Sequence, residues 1–269
     1  MTVAAMQIVL TGGALGAEVR GLDLRHPLSA EMVSRLRAAF LDYCVLLFRD
    51  QQIGEEDQVR FSRYFGDPVP HVREQPDRPV KEIFVVSNVE EDGKPLGALG
   101  YEEISFHSDL SYLHQPGSIS ILYAVEVPPS GGETMWVNGY AAYDALAEDL
   151  KERVTRLRAV HQHPRPQQNP SVPASHPVIR THPETGRKVL YVNPQFTKSI
   201  EGLSEGESRE LLDRLMAHAT EPRFIWTHRW RAGDLVMWDN RCTMHRREAF
   251  DNRQRRVMKR TQMLGDPPC

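Results

Sequence analysis

The chain has 269 residues, of which 40% are hydrophobic and 26% are charged, and its formal net charge is −3 at pH 7. A charge so close to neutrality excludes bulk attraction to nucleic acid or to an anionic membrane, so the expected partner is a small molecule. No apolar run approaches the ~20 residues that span a bilayer, and the N-terminal stretch does not resemble a signal peptide. We therefore predict a cytoplasmic protein of one large or two small domains.

Cysteine usage is sparse. The chain has three cysteines, an odd number, and none lies in a C-x-x-C pair; they are Cys44, Cys242 and Cys269. This spacing predicts neither a disulfide framework nor a thiolate zinc site.

The first third of the chain predicts strands and helices in alternation. The stretches MQIVL and AEVRGLDL flank a glycine-rich turn that lacks the G-x-G-x-x-G spacing of a dinucleotide-binding loop. Ser29 is a predicted N-cap, because apolar residues then recur at helical intervals. These residues are Met32, Leu36, Ala39, Phe40 and Tyr43. The buried strand CVLLF follows, and EEDQVRFSRYF predicts a second helix that ends at Gly66.

Further stretches predict strands on both sides of the chain's midpoint. They are EIFVVSNV, FHSDLSYL, SISILYAVEV, TMWVNG, RFIWTHRW, DLVMWDN and RRVMKRTQML. Helices are predicted over residues 140–157 and 204–218, the second opened by Ser204 and Glu207 at the spacing of a capping box. This order favours one β-rich core with inserted or flanking helices over two domains.

A segment rich in proline and histidine, HQHPRPQQNPSVPASHP, begins at residue 161. The prolines predict an irregular backbone, and the histidines at 161, 163, 176 and 182 have no regular ligand spacing. We therefore predict a mobile active-site lid around residues 161–180 rather than a metal site.

The stretch FHSDLSYL places His107 and Asp109 two residues apart, so that on a strand both would project from one face. Two imidazoles and one carboxylate bind Fe(II) as a facial triad and leave positions open for a cosubstrate and oxygen. The C-terminal strands offer His228 and His245 as the missing ligand, and His245 follows a strand and a polar turn. An H-x-D pair alone is also compatible with a surface pair or a helix cap.

The last predicted strand, RRVMKRTQML, places Arg256 and Arg260 on one face and Val257 and Lys259 on the other. A keto acid such as 2-oxoglutarate chelates the metal and needs a cation for its remote carboxylate, which an arginine binds through two hydrogen bonds. Periodicity alone leaves open whether these arginines face such a site or the solvent.

Five motifs of the chain occur in the order and spacing of one enzyme family. They are FHSDLSY, SGGETMWVNGYAAYDAL, HPVIRTHPETGRKVLYVN, GDLVMWDNRCTMHR and RRVMKRTQMLGD. Over nearly the whole chain, the sequence resembles the family of taurine and 2,4-dichlorophenoxyacetate dioxygenases. The resemblance implies an enzyme that depends on Fe(II), 2-oxoglutarate and O2, and similar enzymes are often homodimers or homotetramers.

The resemblance also implies a fold and a domain organisation. The expected fold is α+β with a mainly β core, a double-stranded β-helix (a cupin-like jelly roll) with flanking and inserted helices. Residues 1–269 would form a single dioxygenase domain.

The resemblance further implies the roles of individual residues. His107, Asp109 and His245 match the catalytic iron ligands. Thr134 matches a threonine that helps to hold 2-oxoglutarate, and Arg256, eleven residues after His245, matches the arginine that pairs with its remote carboxylate.

For the substrate, the resemblance is less complete. Arg260 and His71 match positions that contact the substrate anion in the taurine enzyme. Glu103 stands where both named enzymes carry asparagine, so it would repel an anion or bind an amine, unless it points out of a loop. Tyr112 and Phe196 would form apolar walls of the pocket or belong to the core.

The implied reaction is hydroxylation of a C–H bond of a small anionic substrate, such as a sulfonate, an aryloxyalkanoate or another carboxylate, with release of succinate and CO2. Where the hydroxylated carbon bears a heteroatom, the product would fragment. The same chemistry on an amine-bearing or amino-acid-like substrate, read by Glu103, is the alternative.

Two other classes of function are weaker alternatives. One is a non-catalytic β-barrel that binds a small acid. The other is a nucleic-acid or protein demethylase, which a C-terminal basic run would support, although no aromatic-interleaved groove accompanies it. The basic residues are Arg241, Arg246, Arg247, Arg253, Arg255, Arg256, Lys259 and Arg260.

Overall fold

A computed structural model of the chain describes residues 6–72, 75 and 78–269, which form a mainly β architecture with helices. The strands are β1 (Gln7–Leu10), β2 (Ala17–Arg20), β3 (Val45–Phe48), β4 (Phe84–Ser87), β5 (Glu90–Glu91), β6 (Lys94–Pro95), β7 (Ile104–His107), β8 (Gly117–Glu126), β9 (Thr134–Asn138), β10 (Arg158–His161), β11 (Ala174–Pro177), β12 (Ile179–Thr181), β13 (Lys188–Leu190), β14 (Thr197–Ile200), β15 (Ile225–His228), β16 (Leu235–Asp239), β17 (Thr243–Arg247) and β18 (Val257–Leu264). The α-helices are α1 (Ala30–Tyr43), α2 (Glu55–Ser62), α3 (Gly139–Asp144), α4 (Glu148–Val154) and α5 (Glu205–Ala219).

Two sheets contain most of these strands. The larger has seven strands in the order β1-β2-β3-β16-β8-β18-β4, and the smaller has four in the order β15-β9-β17-β7. Their pairs are antiparallel except β2 with β3, which is parallel. Strands β11, β10 and β14 form a separate three-stranded sheet, and β12–β13 and β5–β6 are two-stranded.

The seven-stranded sheet is buried on both faces in its centre. On β3, Leu46 and Phe48 belong to a hydrophobic cluster that includes residues of α1 and α2. Val45 and Leu47, which point the other way, belong to a cluster that includes Trp136 of the four-stranded sheet. Because alternate side chains enter two different cores, the strand is apolar at every position, as CVLLF is.

Several helix boundaries agree with the sequence. Ser29 caps α1, with its Oγ accepting a hydrogen bond from the Met32 N–H at 3.2 Å. Ser204 and Glu207 form the predicted capping box of α5. Helix α2 ends at Ser62, earlier than predicted, and the chain then continues to Gly66 in tight turns.

The single helix predicted over residues 140–157 is wrong, because α3 and α4 are separate helices. The chain turns between them through a hydrogen bond from the Leu146 N–H to the Tyr143 carbonyl. The break lets Leu146 and Leu150 both enter the core beneath the four-stranded sheet.

The prediction of an irregular backbone over residues 161–180 is wrong for residues 174–177 and 179–180, which form strands. Strands β11 and β12 lie in the last part of this region, whereas residues 162–173 connect β10 to β11 as a loop that contains one short 3-10 helix, Pro166–Gln168. The histidines at 161, 163, 176 and 182 are all buried. Their rings pack against aromatic neighbours, so these four side chains belong to the folded interior.

Two remaining features concern the cysteines and the helices. Cys44, Cys242 and Cys269 are free thiols, the first two buried and the last exposed. Within the part of the chain that the structure describes, no helix has both the length and the apolar character needed to cross a membrane.

Candidate active site

Two histidines and one aspartate meet between the two sheets. His107 ends β7 and lies opposite His245 of β17 in the antiparallel register. One ligand atom of each, with a carboxylate oxygen of Asp109, forms a group whose members all lie within 4.8 Å of one another. All three side chains are buried.

The prediction that one strand aligns His107 with Asp109 is wrong in its mechanism. Strand β7 ends at His107, and Asp109 lies in the turn that follows. The next residue, Leu110, has φ 56°, a left-handed conformation that reverses the chain. A turn, rather than strand periodicity, therefore brings the carboxylate back beside the imidazole.

The alternative third ligand, His228, lies elsewhere. Its ring bonds to Asp234, with Nε2 3.0 Å from Oδ2, and the same carboxylate accepts a hydrogen bond from Arg49 at 2.6 Å. The structure therefore groups His245, and not His228, with His107 and Asp109.

Hydrogen bonding orients the ring of His107. Its Nδ1 lies 2.8 Å from the Ser105 carbonyl, which can only accept, so Nδ1 carries the proton. Nε2, which lies 3.6 Å from Asp109 Oδ1, then presents its lone pair to the centre of the group. This is the arrangement by which a second hydrogen bond fixes the tautomer of a metal-binding histidine.

The carboxylate of Asp109 is also held in place. Ser120 donates a hydrogen bond to Oδ2 at 2.7 Å, and Arg260 donates to Oδ1 at 3.2 Å. Burial by itself would raise the pKa of Asp109, but Arg260, His245 and His107 together hold it well below its usual range. The group is therefore an anion at neutral pH, as a metal ligand must be.

A cavity of about 460 Å³ lies on one side of His107 and His245. Its charged and hydroxyl-bearing lining includes Thr134, Arg247, Arg256 and Arg260. The Thr134 hydroxyl accepts a hydrogen bond from Trp230 Nε1 at 2.9 Å.

Arg256 enters this cavity as a buried cation that has no carboxylate partner within the part of the chain that the structure describes. Its side chain is 2% exposed, and its Nε has no hydrogen-bond partner among the residues that the structure describes. Burial, and then the like charge of Arg247, lower the pKa of Arg256 to about 9. A buried guanidinium in this position favours an anionic ligand.

The orientation of β18, which the sequence left open, is settled by its neighbours. Arg256 and Arg260 face the site, while Lys259 on the opposite face lies 3.0 Å from Glu55 of α2. Thr261, on that same face, bonds to Ser62 of α2 at 2.7 Å.

A second cavity, of about 420 Å³, lies on the other side of His107 and includes Asp109. Four of the predicted substrate residues line it, namely His71, Tyr112, Phe196 and Arg260. The two cavities share the residues Leu99, Ile104, His107 and Arg260.

Aromatic contacts build the walls of this second cavity. His71 stacks on Phe84 with ring centroids 3.9 Å apart, and the Arg260 guanidinium lies 5.4 Å from the same ring. Phe196 contacts Tyr112 at 5.0 Å and His107 at 5.7 Å, both edge to face.

Glu103 is the one predicted site residue that the structure does not bring to these cavities. Its side chain is exposed, just before β7, and it is not part of either lining. Water solvates an exposed carboxylate better than a half-apolar pocket would, which is consistent with this outward position.

Several lining residues were missed by the sequence interpretation. They are Leu99, Ile104, Leu110, His163, Gln195 and Arg247. Arg247 is two residues after His245, so the period of a strand could have placed both on one face. His163 belongs to the histidine-rich segment, which has no regular ligand spacing.

The C-terminal basic run is not a free basic surface. Arg241, Arg247, Arg256 and Arg260 are buried. The others face carboxylates, in the pairs Arg246–Glu248, Arg253–Asp251, Arg255–Glu126 and Lys259–Glu55. This arrangement removes the support for a nucleic-acid partner.

A second group of potential metal ligands, His182, Asp239 and Cys242, is satisfied by hydrogen bonds. Asp239 accepts from Arg241 at 2.8 and 2.7 Å, and lies 3.1 Å from the ring Nε2 of His182. Because both oxygens of the Asp239 carboxylate accept hydrogen bonds, this group is a buried ion-pair network.

Comparison with known proteins agrees with this geometry. The model of the family described as "Taurine catabolism dioxygenase TauD, TfdA family" matches residues 8–262. The chain is 37% identical over 273 residues to the alpha-ketoglutarate-dependent 2,4-dichlorophenoxyacetate dioxygenase of Cupriavidus pinatubonensis (strain JMP 134 / LMG 1197), covering 93% of this chain and 94% of that one.

Two solved structures are similar over nearly the whole chain. One is a taurine dioxygenase from Burkholderia xenovorans, with 36% identity and a TM-score of 0.87, covering 98% of this chain and 90% of that one. The other is AAD-2 in complex with Mn(II) and N-oxalylglycine, with 34% identity and a TM-score of 0.84, covering 98% of each chain.

Proposed function

Since the chain belongs to the TauD, TfdA family of dioxygenases, we propose that it hydroxylates a C–H bond of a small organic anion with an apolar body. It is an Fe(II)- and 2-oxoglutarate-dependent dioxygenase, as the family implies.

We assign the metal to His107, Asp109 and His245. Two neutral imidazoles and a carboxylate, all within 4.8 Å, are the donor set that suits Fe(II) with open positions. When bound, Fe(II), 2-oxoglutarate and O2 together supply the oxidation, which releases succinate and CO2 and inserts one oxygen atom into the substrate's C–H bond. Ser120 and Arg260 keep the carboxylate in one orientation.

We assign the cosubstrate to the cavity that contains Thr134 and Arg256. The buried Arg256, whose Nε has no hydrogen-bond partner among the described residues, can bind a remote carboxylate through both arms of its guanidinium. The Thr134 hydroxyl accepts from Trp230 and so can donate its own proton to a second oxygen.

The charge of the site carries the argument for an anionic substrate. Three guanidinium groups (Arg247, Arg256 and Arg260) and one carboxylate (Asp109) line the two cavities, which leaves two positive charges. Fe(II) and the 2-oxoglutarate dianion cancel each other, so this excess remains when both are bound. A buried excess of positive charge favours an anion and opposes an amine.

The remaining walls favour an apolar body on that anion. Leu99, Ile104, Leu110, Tyr112 and Phe196 line the cavity beside His107, while Arg260 and His71 lie at its polar side. An aryloxyalkanoate or an alkyl or aryl sulfonate has this division into an anionic and an apolar part. If the hydroxylated carbon bears a heteroatom, the bond between that carbon and the heteroatom would break.

We further propose that the two main sheets form a double-stranded β-helix within a single domain over residues 1–269. The cluster that contains Val45, Leu47 and Trp136 joins residues of both sheets, which supports a face-to-face arrangement. The connection of residues 162–173, which includes the cavity residue His163, is the proposed lid of the predicted region 161–180.

The first experiment is an anaerobic optical titration of the metal-free protein with Fe(II) and then 2-oxoglutarate. We expect the weak visible charge-transfer band of the chelated keto acid, its loss in His107→Ala and its weakening in Arg256→Gln. If no band appears in the folded wild-type protein, the dioxygenase assignment fails.

A matched pair of compounds then tests the substrate class. 2,4-Dichlorophenoxyacetate and its methyl ester differ in charge and by one methyl group, so we expect the acid to stimulate succinate formation and the ester not to. An alkyl sulfonate and a primary amine of similar size extend the series. Equal stimulation by the acid and the ester, or a preference for the amine, would contradict the charge argument.

A further inference from the structure

We infer that Arg247 is a positioning residue that fixes residues 99–102 as the wall between the two cavities and makes this wall respond to the bound cosubstrate. The inference rests on the proposed function, because it takes the cavity beside Arg256 as the cosubstrate site. In the proposed function, Arg247 contributes only its charge to the lining of the site.

The contact between Arg247 and the wall is direct. Its Nη1 donates to the Leu99 carbonyl at 2.7 Å, and its Nη2 donates to the Glu102 carbonyl. The side chain is 6% exposed, and on β17 Arg247 lies opposite Ile104, the first residue of β7. One guanidinium therefore holds both ends of the segment that leads into the strand of His107.

Leu99 is the residue that this contact holds in place. It has φ 67°, in the left-handed region that a leucine rarely adopts, and it lines both cavities. Such a conformation persists only where the surroundings enforce it. The hydrogen bond from Arg247 to its carbonyl is the visible restraint, so loss of that bond should free the leucine to move.

The same arginine is coupled to the cosubstrate site through charge. Arg247 and Arg256 both line the cavity of 460 Å³, and their guanidinium carbons lie 5.6 and 5.9 Å from the centre of the Phe250 ring. Two buried cations that share one ring repel each other until an anion lies between them. The Phe250 N–H also donates to the Tyr101 carbonyl at 3.2 Å, which ties this ring to the wall.

A functional consequence follows for the order of events at the site. Before 2-oxoglutarate binds, repulsion from Arg256 weakens the two hydrogen bonds that Arg247 donates to the wall. When the remote carboxylate of 2-oxoglutarate lies beside Arg256, it offsets the repulsion between the two guanidinium groups. Arg247 can then hold Leu99 and Glu102 firmly, and the substrate cavity takes its final shape. A loose wall would leave the substrate poorly placed, so that more 2-oxoglutarate is consumed without hydroxylated product.

The direct test is hydrogen exchange under anaerobic conditions, where no turnover occurs. In the Fe(II)-loaded wild-type protein, 2-oxoglutarate should slow exchange of the peptide that covers residues 96–103. In Arg247→Met this peptide should exchange fast with and without 2-oxoglutarate, and Arg247→Lys should respond partly. Arg246→Met is the matched control, because Arg246 lies on the other face of β17 and pairs with Glu248.

Kinetics provide the second readout. We expect Arg247→Met to raise the ratio of succinate to hydroxylated product and the KM of the substrate, each roughly tenfold. Leu99→Gly tolerates the left-handed backbone and removes the side chain that lines the wall, so it should raise the same ratio while Arg247 remains in place. Thermal unfolding of each variant confirms that it is folded.

The outcomes separate the inference from the proposed function. If the charge-transfer band forms in wild type and in Arg247→Met, but the exchange of residues 96–103 and the product ratio match those of Arg246→Met, the positioning role is wrong. If the band is absent from wild type, the proposed function fails first.

Discussion

The hydrogen bonds around Asp109 determine how the proposed iron ligand is presented. Ser120 and Arg260 each take one carboxylate oxygen, and the Asp109 N–H donates to Asn240 Oδ1 at 3.1 Å. Such outer contacts orient a ligand that would otherwise rotate, so they contribute to metal affinity without touching the metal.

We expect Ser120→Ala to weaken Fe(II) binding about tenfold, because it removes the donor to Asp109 Oδ2. An anaerobic competition titration against a chelator measures the Kd. Ser118→Ala is the control, since Ser118 lies on the same strand but donates to the carbonyls of Met263 and Leu264. Equal Kd values for both variants would show that the hydroxyl does not support the ligand.

We expect Arg256→Gln to raise the Kd of 2-oxoglutarate roughly 100-fold, about 3 kcal/mol, because a buried carboxylate would lose its charged partner. Arg256→Lys keeps the charge but loses the two-armed geometry, so its Kd for 2-oxoglutarate should lie between those of wild type and Arg256→Gln. The neighbouring Arg255→Gln is the control, because Arg255 is exposed and pairs with Glu126. A change as large in Arg255→Gln would mean that general charge, and not the buried site, determines affinity.

At the scale of the elements, the antiparallel pair β10–β11 buries two histidines that pack against each other and against Tyr191. The His176 Nε2 donates to the carbonyls of Ser111 and Leu113, at 2.9 and 3.0 Å. These bonds tie the pair to the turn that follows Asp109, so its stability bears on the site.

This pair predicts a dependence of stability on pH. Burial lowers the pKa of His176 to about 4 and holds that of His161 well below its usual range. The unfolded chain binds protons near pH 6.5 and the folded chain does not, so the free energy of unfolding should fall as the pH drops from about 6.5 to 4. His176 alone would contribute on the order of 3 kcal/mol to this loss.

Urea unfolding at pH 7.5 and at pH 4.8 measures the effect. His176→Gln should be less stable at pH 7.5 but should lose less stability between the two values. The exposed His26→Gln serves as the control and should behave like wild type. A wild-type protein that is equally stable at both values would contradict the prediction.

For the whole molecule, the site connects elements that are far apart in the chain. His107 and His245 come from the four-stranded sheet, while Arg260 comes from the seven-stranded sheet. Ligands that bind only the folded state stabilise the entire fold by mass action.

We expect Mn(II) and 2-oxoglutarate, each at about 100 times its Kd, to stabilise the fold by at least 2.7 kcal/mol and to raise Tm by roughly 5–10 °C. A chelator should reverse the shift. His245→Ala should show no shift, which distinguishes site binding from a general salt effect. The same shift in wild type and in His245→Ala would refute the site.

The sequence by itself determined the features that depend on near neighbours and on family motifs. The caps at Ser29 and Ser204 need only the next three residues, and the strand CVLLF needs only its own apolar run. The motifs identified the TauD, TfdA family, which the matching family model confirms.

What only the tertiary structure decided is which of two possible faces points inward and which residues meet. Alternation along the predicted strand RRVMKRTQML grouped Arg256 with Arg260, but the packing of Lys259 and Thr261 of β18 on α2 decided that the arginines face the site. The turn at Leu110, the inward face of Arg247 and the outward position of Glu103 likewise depend on contacts across the chain. Periodicity fixes only relative directions along one element, whereas burial depends on the partner that the fold places against it.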